Sequence, residues 1–492
     1  MRLSEFFDGV TAPTLILAPG DPEIAGLTAD SRDVRPGWLF AALPGARQDG
    51  RAFIEQAIAQ GAAAILSLPG TEGRVTERAS FISDTEPRRR LARMAAKFYA
   101  VQPETVVAVT GTNGKTSVAD FTRQIWAGLG KRSGSLGTLG VVLDAGPEGP
   151  SLTTPDPVRL HQLLSDLAKR GVTNLAMEAS SHGLDQCRLD GVRLSAAAFT
   201  NLTRDHLDYH GSMAAYRSAK LRLFDRVMGP DGTAVLNADS DAFGVFAETA
   251  RAGYQRILSY GSADKADIRI ISRAPRPTGQ HVELQVFGTA YSVDLPLIGG
   301  FQAWNVLAAL GLAIVTGTPV RQAVEALATL VGVRGRLERA ATLDNGAAVY
   351  VDFAHTPDAL ETVLSAIRPH VDGKLWCVYG CGGDRDPGKR PMMAERVAAF
   401  ADHPVLSDDN PRSEDPAEIR RQALVGAPTG TEEIGGREAA IHSAVARLGP
   451  GDVLVIAGKG HETGQEINGV KHPFDDVSVA RAAVAAIRGG AA

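Results

Sequence analysis

The chain has 492 residues, of which 44% are hydrophobic and 22% charged, and its formal net charge is −5. The length favours three domains, the composition is that of an ordinary soluble globular protein, and the charge excludes a global basic field for nucleic acid. No apolar stretch is long enough to span a bilayer, and the N-terminus does not resemble a signal peptide. The three cysteines, Cys187, Cys377 and Cys381, lack the spacing of zinc sites or disulfides, so we expect reduced thiols in a cytoplasmic protein.

Residues 1–102 are predicted to form a small α/β domain. Short apolar runs such as "TLILA" and "AAAILS" alternate with turns such as "LPGARQDG". The basic, helix-like run "EPRRRLARMAAKFYA" follows, and "VQPE" then reads as a linker into the next domain.

Residues 103–333 are predicted to form a doubly wound, P-loop-type ATPase domain. "TVVAVT" is a β-branched run of strand length, and apolar residues then recur at helical spacing from Val118 to Leu129, ending near Gly128 and Gly130. Further strand candidates are "NLAMEA", "AAAFTNL", "TAVLNAD" and "RILSYG". Strands that alternate with helices indicate parallel pairing.

The pattern restarts near "VGVRGRLERA", and residues 334–492 are predicted to form a Rossmann-like α/β domain. Its strand candidates are "AAVYVDFA", "KLWCVYGCG", "HPVLSDD" and "DVLVIAGKG", separated by helices such as "PAEIRRQALVG" and "REAAIHSAVARLG". The fold class is therefore α/β throughout.

The stretch "VVAVTGTNGKTSVADF" contains a shortened phosphate loop. Only Thr112 and Asn113 separate Gly111 from Gly114, where the usual loop has four residues. A strand, a glycine turn and a helix still make an anion cradle, in which Lys115 reaches the terminal phosphates and Thr116 can ligate magnesium. Guanine-nucleotide switches usually carry an Asn/Thr-Lys-x-Asp signal, which we do not find, although a nucleotide-regulated binding protein stays open.

A second group of polar residues follows two of the predicted strands. Glu178 ends one strand, ahead of Ser180, Ser181 and His182, and another strand is followed by Asn201, Asp205, His206, Asp208 and His210. Because ligands bind at the carboxyl ends of parallel strands, we expect Glu178 and the His206 segment to lie near the phosphate loop and to favour magnesium. The roles of His182 and His210 stay open. Taken alone, Lys220 is a solvated helix lysine.

The motifs "TGTNGKTS", "MEASSHGL", "FTNLTRDHLDYHG" and "VDFAHTPDALE" together resemble the Mur ligases of peptidoglycan synthesis. The resemblance covers nearly the whole chain, and "LTADSRDVRPGWLFAALPGARQDGRAFI" looks like that family's UDP-binding domain. The shortened loop is the family's normal form. The resemblance implies ATP and Mg²⁺ as cofactors, only small-molecule substrates, no nucleic acid partner, no membrane insertion, and a monomer.

Within the family, "GCGGDRDPGKRP", "DNPR" and "AGKGHE" are most similar to the members that add meso-diaminopimelate. By resemblance the third domain would supply the amino-acid pocket, from Arg385, Asp409, Asn410, Pro411, Arg412, Gly458 and Glu462. Meso-diaminopimelate is lysine with an added carboxylate, which a guanidinium can grip bidentately, and lysine-adding relatives lack the arginine of "DNPR".

The resemblance also assigns the other ligands. The nucleotide site would comprise Gly111, Thr112, Asn113, Gly114, Lys115, Thr116 and Ser117, with Asn305, Arg336 and Asp352. The UDP-muramoyl peptide would contact Ser31, Arg32, Thr153, Thr154, Ser180, Gln186 and Arg188. The metal set would be Thr116, Glu178, His206 and Lys220, the last as a carbamate, which turns a repelling ammonium into an anionic ligand. One departure is that "PEGPSL" carries no asparagine before the threonine pair.

The implied reaction is phosphorylation of the D-glutamyl carboxylate of UDP-N-acetylmuramoyl-L-alanyl-D-glutamate, followed by attack of the diaminopimelate amine. Lys115, Lys220 and His206 would be the catalytic residues. The proton acceptor stays open among Asp205–His210 and Glu462. The alternatives are the same ligase with L-lysine, a folylpolyglutamate synthetase, against which the first domain argues, and a nucleotide-regulated binding protein.

Overall fold

The computed structural model describes residues 1–7, 14–16, 21–45, 48–71, 78–144, 146–148 and 153–489. The chain divides into two compact units. The first comprises Met1–Lys115, Trp126–Ser259 and Val315–Gly317, and the second Thr116–Ile125, Tyr260–Ile314 and Thr318–Ala492. The boundaries 1–102, 103–333 and 334–492 stay a prediction. Within the described ranges, no helix combines the length and the apolar character that crossing a membrane requires.

The N-terminal part of the first unit is a five-stranded sheet. Its strands are β1 (Thr14–Ile16), β2 (Gly26–Thr28), β3 (Trp38–Ala41), β4 (Ala64–Ser67) and β5 (Ser80–Ser83), in the order β1-β5-β4-β3-β2. Strands β2 to β5 pair in parallel, and β1 runs antiparallel to β5. Helices α1 (Ile54–Ala59) and α2 (Pro87–Tyr99) complete the expected α/β unit. The rest of "TLILA" and part of "LPGARQDG" and "PEGPSL" lie outside the described residues.

Helix α2 is the basic run that the sequence marks as helical. It begins at Pro87, whose fixed φ and missing N–H suit the first turn of a helix. Leu91 and Met94 of α2 share a hydrophobic core with Leu39 and Leu66 of the sheet. The apolar side of α2 is thus buried while its arginines remain available for polar contacts.

A second sheet of the first unit contains the parallel strands expected after Thr105. The strands are β6 (Thr105–Thr110), β7 (Ser133–Gly137), β8 (Gly140–Leu143), β9 (Gly146–Glu148), β10 (Asn174–Glu178), β11 (Ala196–Phe199) and β12 (Thr233–Asn237), in the order β12-β11-β6-β10-β7-β8-β9. Strands β7, β10, β6, β11 and β12 are parallel, and β8 and β9 add an antiparallel edge. The chain places β7 and β10 on one side of β6 and β11 and β12 on the other, which makes the end of β6 a topological switch point.

Helices connect these strands, as the doubly wound pattern requires. They are α3 (Lys115–Gly128), α4 (Pro157–Lys169), α5 (Ser181–Asp185), α6 (Leu207–His210), α7 (Met213–Arg222) and α8 (Phe243–Ala252), with a π-helical turn at Leu223–Val227. Val106, Leu175, Phe199 and Leu236 lie in one hydrophobic core with residues of α4 and α8. Strand β13 (Arg256–Gly261) then leads into the second unit.

The second unit contains three strands that the patterns above did not indicate. These are β14 (Ile268–Arg276), β15 (Gly279–Val286) and β16 (Thr289–Leu295), in which β14–β15 and β15–β16 are antiparallel pairs. Phe287 and Gly288 form the β15–β16 turn with φ of 48° and 83°, the left-handed pair that a two-residue hairpin requires. Helices α9 (Phe301–Val315) and α10 (Val320–Ala326) follow.

The C-terminal sheet of the second unit is Rossmann-like, as expected. Its strands are β17 (Glu338–Thr342), β18 (Ala348–Asp352), β19 (Leu375–Cys381), β20 (His403–Asp408), β21 (Glu432–Glu433) and β22 (Val453–Ala457), in the order β17-β18-β22-β19-β20-β21. All pairs are parallel except β17–β18. The helices are α11 (Pro357–Ile367), α12 (Lys389–Phe400), α13 (Pro416–Leu424), α14 (Arg437–Val445) and α15 (Asp476–Gly489), and β23 (Gly464–Ile467) and β24 (Val470–Pro473) form a separate hairpin. Hydrophobic clusters around Leu360 and Ile441 include alternate residues of the same strands, so both faces of this sheet are buried.

Candidate functional site

The glycine turn lies directly after β6. Gly111 has a φ of 151°, and a Cβ there would sit 1.9 Å from the Thr200 hydroxyl, so only glycine fits. Gly114, with a φ of 86°, precedes the first residue of α3. Lys115 folds back over the turn, donating to the carbonyls of Gly111 at 2.9 Å and Thr112 at 2.8 Å. The ammonium of Lys115 therefore lies against the backbone of the turn, at the N-terminus of α3.

The segment after β11 supports the turn. Thr112 N donates to the Asn201 carbonyl at 2.9 Å, and Asn113 N donates to Asn201 Oδ1 at 2.9 Å. The Thr200 hydroxyl donates to the Asn113 carbonyl at 2.6 Å, and the Thr112 hydroxyl lies 3.2 Å from the hydroxyl of Tyr216. These bonds preorganise the turn, while Thr116 and Ser117 are buried in the first turn of α3.

Lys220 is a buried residue rather than a solvated helix lysine. Its side chain on α7 is 1% exposed, its Nζ donates to the Gly111 carbonyl at 2.8 Å, and it lies 4.3 Å from the ring centroid of Tyr216. Burial, and next the positive charge of Lys115, hold the pKa of Lys220 well below its ordinary value. Two lysine nitrogens therefore share one carbonyl, and one of them is strongly disposed to lose its proton.

Glu178 is buried at the end of β10. Its Oε1 accepts from Thr138 N at 2.7 Å, and its Oε2 lies 3.3 Å from the Thr138 hydroxyl. A Cβ at Gly137 would come within 2.0 Å of Oε1, so that glycine makes room for the carboxylate. Such oxygen donors fit a hard cation. Across the described part of the chain, no group of three or more His, Cys, Asp or Glu side chains is arranged to hold a metal ion, and the predicted metal set stays a prediction.

Five of the residues expected at the UDP-muramoyl peptide form one hydrogen-bonded group. The hydroxyl of Thr154 donates to the Glu178 carbonyl at 3.1 Å and lies 3.1 Å from the Ser180 hydroxyl, while the Thr153 hydroxyl is 3.1 Å from that of Thr138. Arg188 donates to the Thr154 carbonyl at 2.6 Å and to Gln186 Oε1 at 2.8 Å. These residues come from three separate segments of the chain.

Ser31 and Arg32 lie in the turn between β2 and β3 of the N-terminal sheet. Arg32 is exposed, and its Nε donates to Asp30 Oδ1 at 2.9 Å. Both residues stay predicted ligands.

Aromatic side chains surround His182. Its ring centroid lies 4.1 Å from that of Tyr209, 4.8 Å from that of His206 and 5.5 Å from that of His210. Burial, and next the charge of His206, lower the pKa of His182, and burial is also the main cause that lowers the pKa of His210. Both imidazoles are therefore neutral at physiological pH.

In the second unit, the "DNPR" segment follows β20. The Asn410 carbonyl accepts from Gly383 N at 2.9 Å, and Arg412 donates from Nη1 to the Gly383 carbonyl at 2.6 Å. A Cβ at Gly383 would fall 1.9 Å from the Pro411 carbonyl, so this close approach requires glycine. The loops that carry Arg385 and Arg412 are thereby held together, although Arg385 itself is exposed and donates to the carbonyl of its neighbour Asp384.

A charged pair organises the opposite side of this segment. Lys459, fully buried, donates to Asn410 Oδ1 at 2.9 Å and to Glu462 Oε2 at 3.1 Å, and Asn410 Nδ2 donates to the same carboxylate oxygen at 2.9 Å. Burial pushes the pKa of Glu462 upward, but the bond from Asn410 and the charge of Lys459 outweigh it and bring the pKa below its ordinary value. Glu462 is thus an anion at neutral pH.

Gly458 and Asp409 meet at the ends of β22 and β20. A Cβ at Gly458, which has a φ of 119°, would lie 2.6 Å from Asp409 Oδ2. That oxygen is buried and has no hydrogen-bond partner among the described residues, while Oδ1 accepts from Asn410 N at 2.7 Å.

The remaining predicted nucleotide residues of the second unit lie in two places. Asn305 is buried in α9, where its Nδ2 donates to Gln302 Oε1 at 2.9 Å. Asp352 ends β18 and accepts from the backbone N–H of Leu337 and Ala354, each at 2.8 Å, and burial raises its pKa. The guanidinium of Arg336 lies 5.0 Å from the ring centroid of Phe353.

The sequence patterns did not single out several residues that belong to these groups. Tyr216, Thr138 and Lys459 contact the predicted residues, and Arg437 forms a fully buried ion pair with Asp476 while donating from Nη2 to the Ala457 carbonyl at 2.9 Å. Lys459 could have been found, because it stands inside "AGKGHE" between two glycines. Nothing in the sequence pairs Arg437 with Asp476.

Comparison with known proteins covers all three parts of the chain. The family described as "Mur ligase family, catalytic domain" matches residues 23–99, "Mur ligase middle domain" matches 109–313, and "Mur ligase, glutamate ligase domain" matches 335–460. A Caulobacter vibrioides protein named UDP-N-acetylmuramoyl-L-alanyl-D-glutamate--2,6-diaminopimelate ligase is 53% identical, over 97% of both chains. A Zymomonas mobilis protein of the same name is 49% identical over 94% of this chain and 95% of its own. A solved structure of a protein of that name is 36% identical, with a TM-score of 0.74 and 99% of both chains covered.

Proposed function

The chain belongs to the Mur ligase family, and we propose that it is the ATP-dependent ligase that adds meso-diaminopimelate to UDP-N-acetylmuramoyl-L-alanyl-D-glutamate. The observation that carries this proposal is the 53% identity, across 97% of both chains, to a relative named for that reaction. The expected fold class and the expectation of a ligase agree with the same relatives. The site assignments below are part of the proposal.

At the phosphate end, the glycine turn supports binding of ATP. The backbone N–H groups at the start of α3 and the ammonium of Lys115 would face the phosphates. Lys115 donates to the carbonyl oxygens of Gly111 and Thr112, which it can exchange for phosphate oxygens by rotating its side chain. Lys115 would then stabilise the charge of the transferred phosphoryl group.

Magnesium, when bound, would neutralise phosphate charge and align the transferred group. Glu178, Thr116, His206 and a carbamylated Lys220 would hold it. The depressed pKa of Lys220 supports the carbamate, because only the neutral amine reacts with carbon dioxide. An unmodified ammonium in this position would repel the metal.

The acceptor would lie against Thr153, Thr154, Ser180, Gln186 and Arg188, with Ser31 and Arg32 at its nucleotide end. Arg188 is half-buried and donates to the neutral oxygens of Thr154 and Gln186, and it makes no ion pair with any described residue, which leaves its charge available to an anionic substrate. A carboxylate oxygen of the acceptor attacks the terminal phosphorus of ATP, and ADP leaves. The product of this step is an acyl phosphate.

At the amino-acid end, the acidic and basic groups around "DNPR" fit a substrate that carries both ammonium and carboxylate groups. The anionic Glu462 and the carboxylate of Asp409 suit an ammonium, and Arg412 suits the extra carboxylate that distinguishes meso-diaminopimelate from lysine. Asn410, Pro411, Gly458 and Arg385 would line the same pocket. The amine attacks the acyl carbon, phosphate leaves, and an amide forms.

The attacking amine must lose a proton. His182 and His210 are held neutral by burial and can accept one, and Glu462 is the other candidate. A pH profile that loses its acidic limb in His210→Gln but not in Glu462→Gln would assign the step to the imidazole.

The test is phosphate release with the UDP-muramoyl dipeptide and ATP, comparing meso-diaminopimelate with L-lysine, with the product mass determined for each. We expect turnover with meso-diaminopimelate and a product heavier by one diaminopimelyl residue. Lys115→Ala should abolish substrate-dependent ADP release. Equal turnover with lysine, or ADP release that ignores both the acceptor and the amine, would overturn the proposal.

A further inference from the structure

Three consecutive arginines at the start of α2 have different partners. Arg89 pairs with Asp190 at 2.9 Å, and Arg90 pairs with Asp84 at 2.6 Å. Arg88 instead donates from Nη2 to the Pro44 carbonyl at 2.5 Å and makes no ion pair with any described residue. Two of the three guanidinium groups thus form ion pairs within the fold, whereas Arg88 has no acidic partner among the described residues.

Arg188 likewise makes no ion pair with any described residue, although the charge of Asp156 acts on it from a distance. Its two hydrogen bonds go to the Thr154 carbonyl and to the amide oxygen of Gln186. Both Arg88 and Arg188 are half-buried, so water screens their charges less than it would at an open surface. A partly buried cation that forms no ion pair has a desolvation cost, which a bound anion would offset.

The fold joins the two segments that carry these arginines. The Arg89–Asp190 pair joins the residue after Arg88 to a residue two positions beyond Arg188. Burial lowers the pKa of Arg188, the charges of Asp156 and Tyr209 oppose this, and the charge of Arg88 lowers it more weakly. The charge of Arg88 also acts on the phenol of Tyr209. Tyr209 in turn accepts a bond from Gln186 at 3.1 Å, and Gln186 accepts one from Arg188, so the three side chains form a bonded group on which the charge of Arg88 acts.

We propose that Arg88 binds the acceptor substrate, and that with Arg188 it forms a two-guanidinium site for an anionic group of the UDP-muramoyl dipeptide. This inference rests on the proposed function. The group bound has the chemistry of a phosphate or carboxylate, which accepts two parallel N–H bonds from a guanidinium. Its two sources are the diphosphate of the nucleotide and a carboxylate of the peptide.

The experiment compares wild-type protein with Arg88→Gln, Arg88→Lys and the control Arg251→Gln, which removes the same charge from an exposed position on α8. KM and kcat are measured for the dipeptide, ATP and meso-diaminopimelate, and thermal melting checks the fold. For Arg88→Gln we expect the dipeptide KM to rise about tenfold or more, with the other two KM values and kcat little changed. Arg88→Lys should recover part of the loss, and Arg251→Gln should resemble wild type.

Binding of free UDP, measured by calorimetry, identifies the source of the anion. Weaker UDP binding to Arg88→Gln assigns the diphosphate, and unchanged UDP binding together with a raised dipeptide KM assigns the carboxylate. An unchanged dipeptide KM, or parallel losses for all three substrates together with a lowered melting temperature, would overturn the inference. Wild-type turnover of the dipeptide in the same assay separates that failure from failure of the proposed function.

Discussion

Replacing Arg412 by methionine should remove the preference for meso-diaminopimelate. Arg412 donates from Nη1 to the Gly383 carbonyl at 2.6 Å and faces Glu466 through Nε at 3.4 Å, which leaves Nη2 without a protein partner in the described structure. The side chain is 21% exposed, so a carboxylate bound there would be largely desolvated. A hydrogen bond to a charged group contributes about 1.5–3 kcal/mol, and the nearby Glu466 offsets part of it. At about 2 kcal/mol, kcat/KM for meso-diaminopimelate should fall roughly 30-fold.

The assay is phosphate release with saturating ATP and dipeptide, with meso-diaminopimelate and L-lysine varied in parallel. The activity with lysine, already low, should change little. The kcat/KM for meso-diaminopimelate divided by that for lysine should therefore fall by the same factor of roughly 30. Arg421→Met is the control, because Arg421 is exposed on α13 and paired with Glu418 at 2.6 Å. Equal losses with both amines in Arg412→Met would show that this arginine only supports the loop.

Three further outcomes are expected. With ¹³C-bicarbonate, the wild-type protein should show a carbamate signal that Lys220→Met lacks, and that variant should lose about tenfold to hundredfold in activity; full wild-type activity without the signal contradicts this. Burial lowers the pKa of His161 from 6.5 to about 4, so the unfolded chain gains this proton first as pH falls. The free energy of unfolding should therefore drop by about 3 kcal/mol as the pH falls from 6.5 to about 4. Urea titration of His161→Gln should show a smaller drop over this range, and a pH dependence equal to that of the wild type would refute this expectation. Arg437→Met should destabilise by about 3–5 kcal/mol, because Asp476 stays buried and unpaired, and Arg437→Met/Asp476→Leu should regain most of that in the same titration; equal losses contradict it.

Local sequence signals predicted the strands well because buried parallel strands are short, continuous apolar runs. "TVVAVT" coincides with β6, and "RILSYG" coincides with β13. Strands β14 to β16 were missed. Their period-two burial, clear along β15, alternates with charged and polar residues and resembles no run of the parallel type.

The glycine turn of the candidate site could be predicted from the sequence, but the contacts around it could not. Glycine spacing reveals the turn, since only glycine tolerates the φ of Gly111 and its close approach to Thr200. The burial of Lys220 could not be predicted, because it depends on Tyr216 and Gly111 arriving from separate segments. The hydrogen bond from Lys459 to Asn410 could not be predicted for the same reason, because Asn410 follows a different strand.

The central claim is that the acceptor carboxylate takes the terminal phosphoryl group of ATP before the amine attacks. The most direct measurement uses dipeptide whose D-glutamyl γ-carboxylate carries ¹⁸O, with ATP and meso-diaminopimelate, and determines the mass of the released phosphate. Transfer of one ¹⁸O atom to each phosphate is the predicted result. Unlabelled phosphate released during normal amide formation would contradict the account.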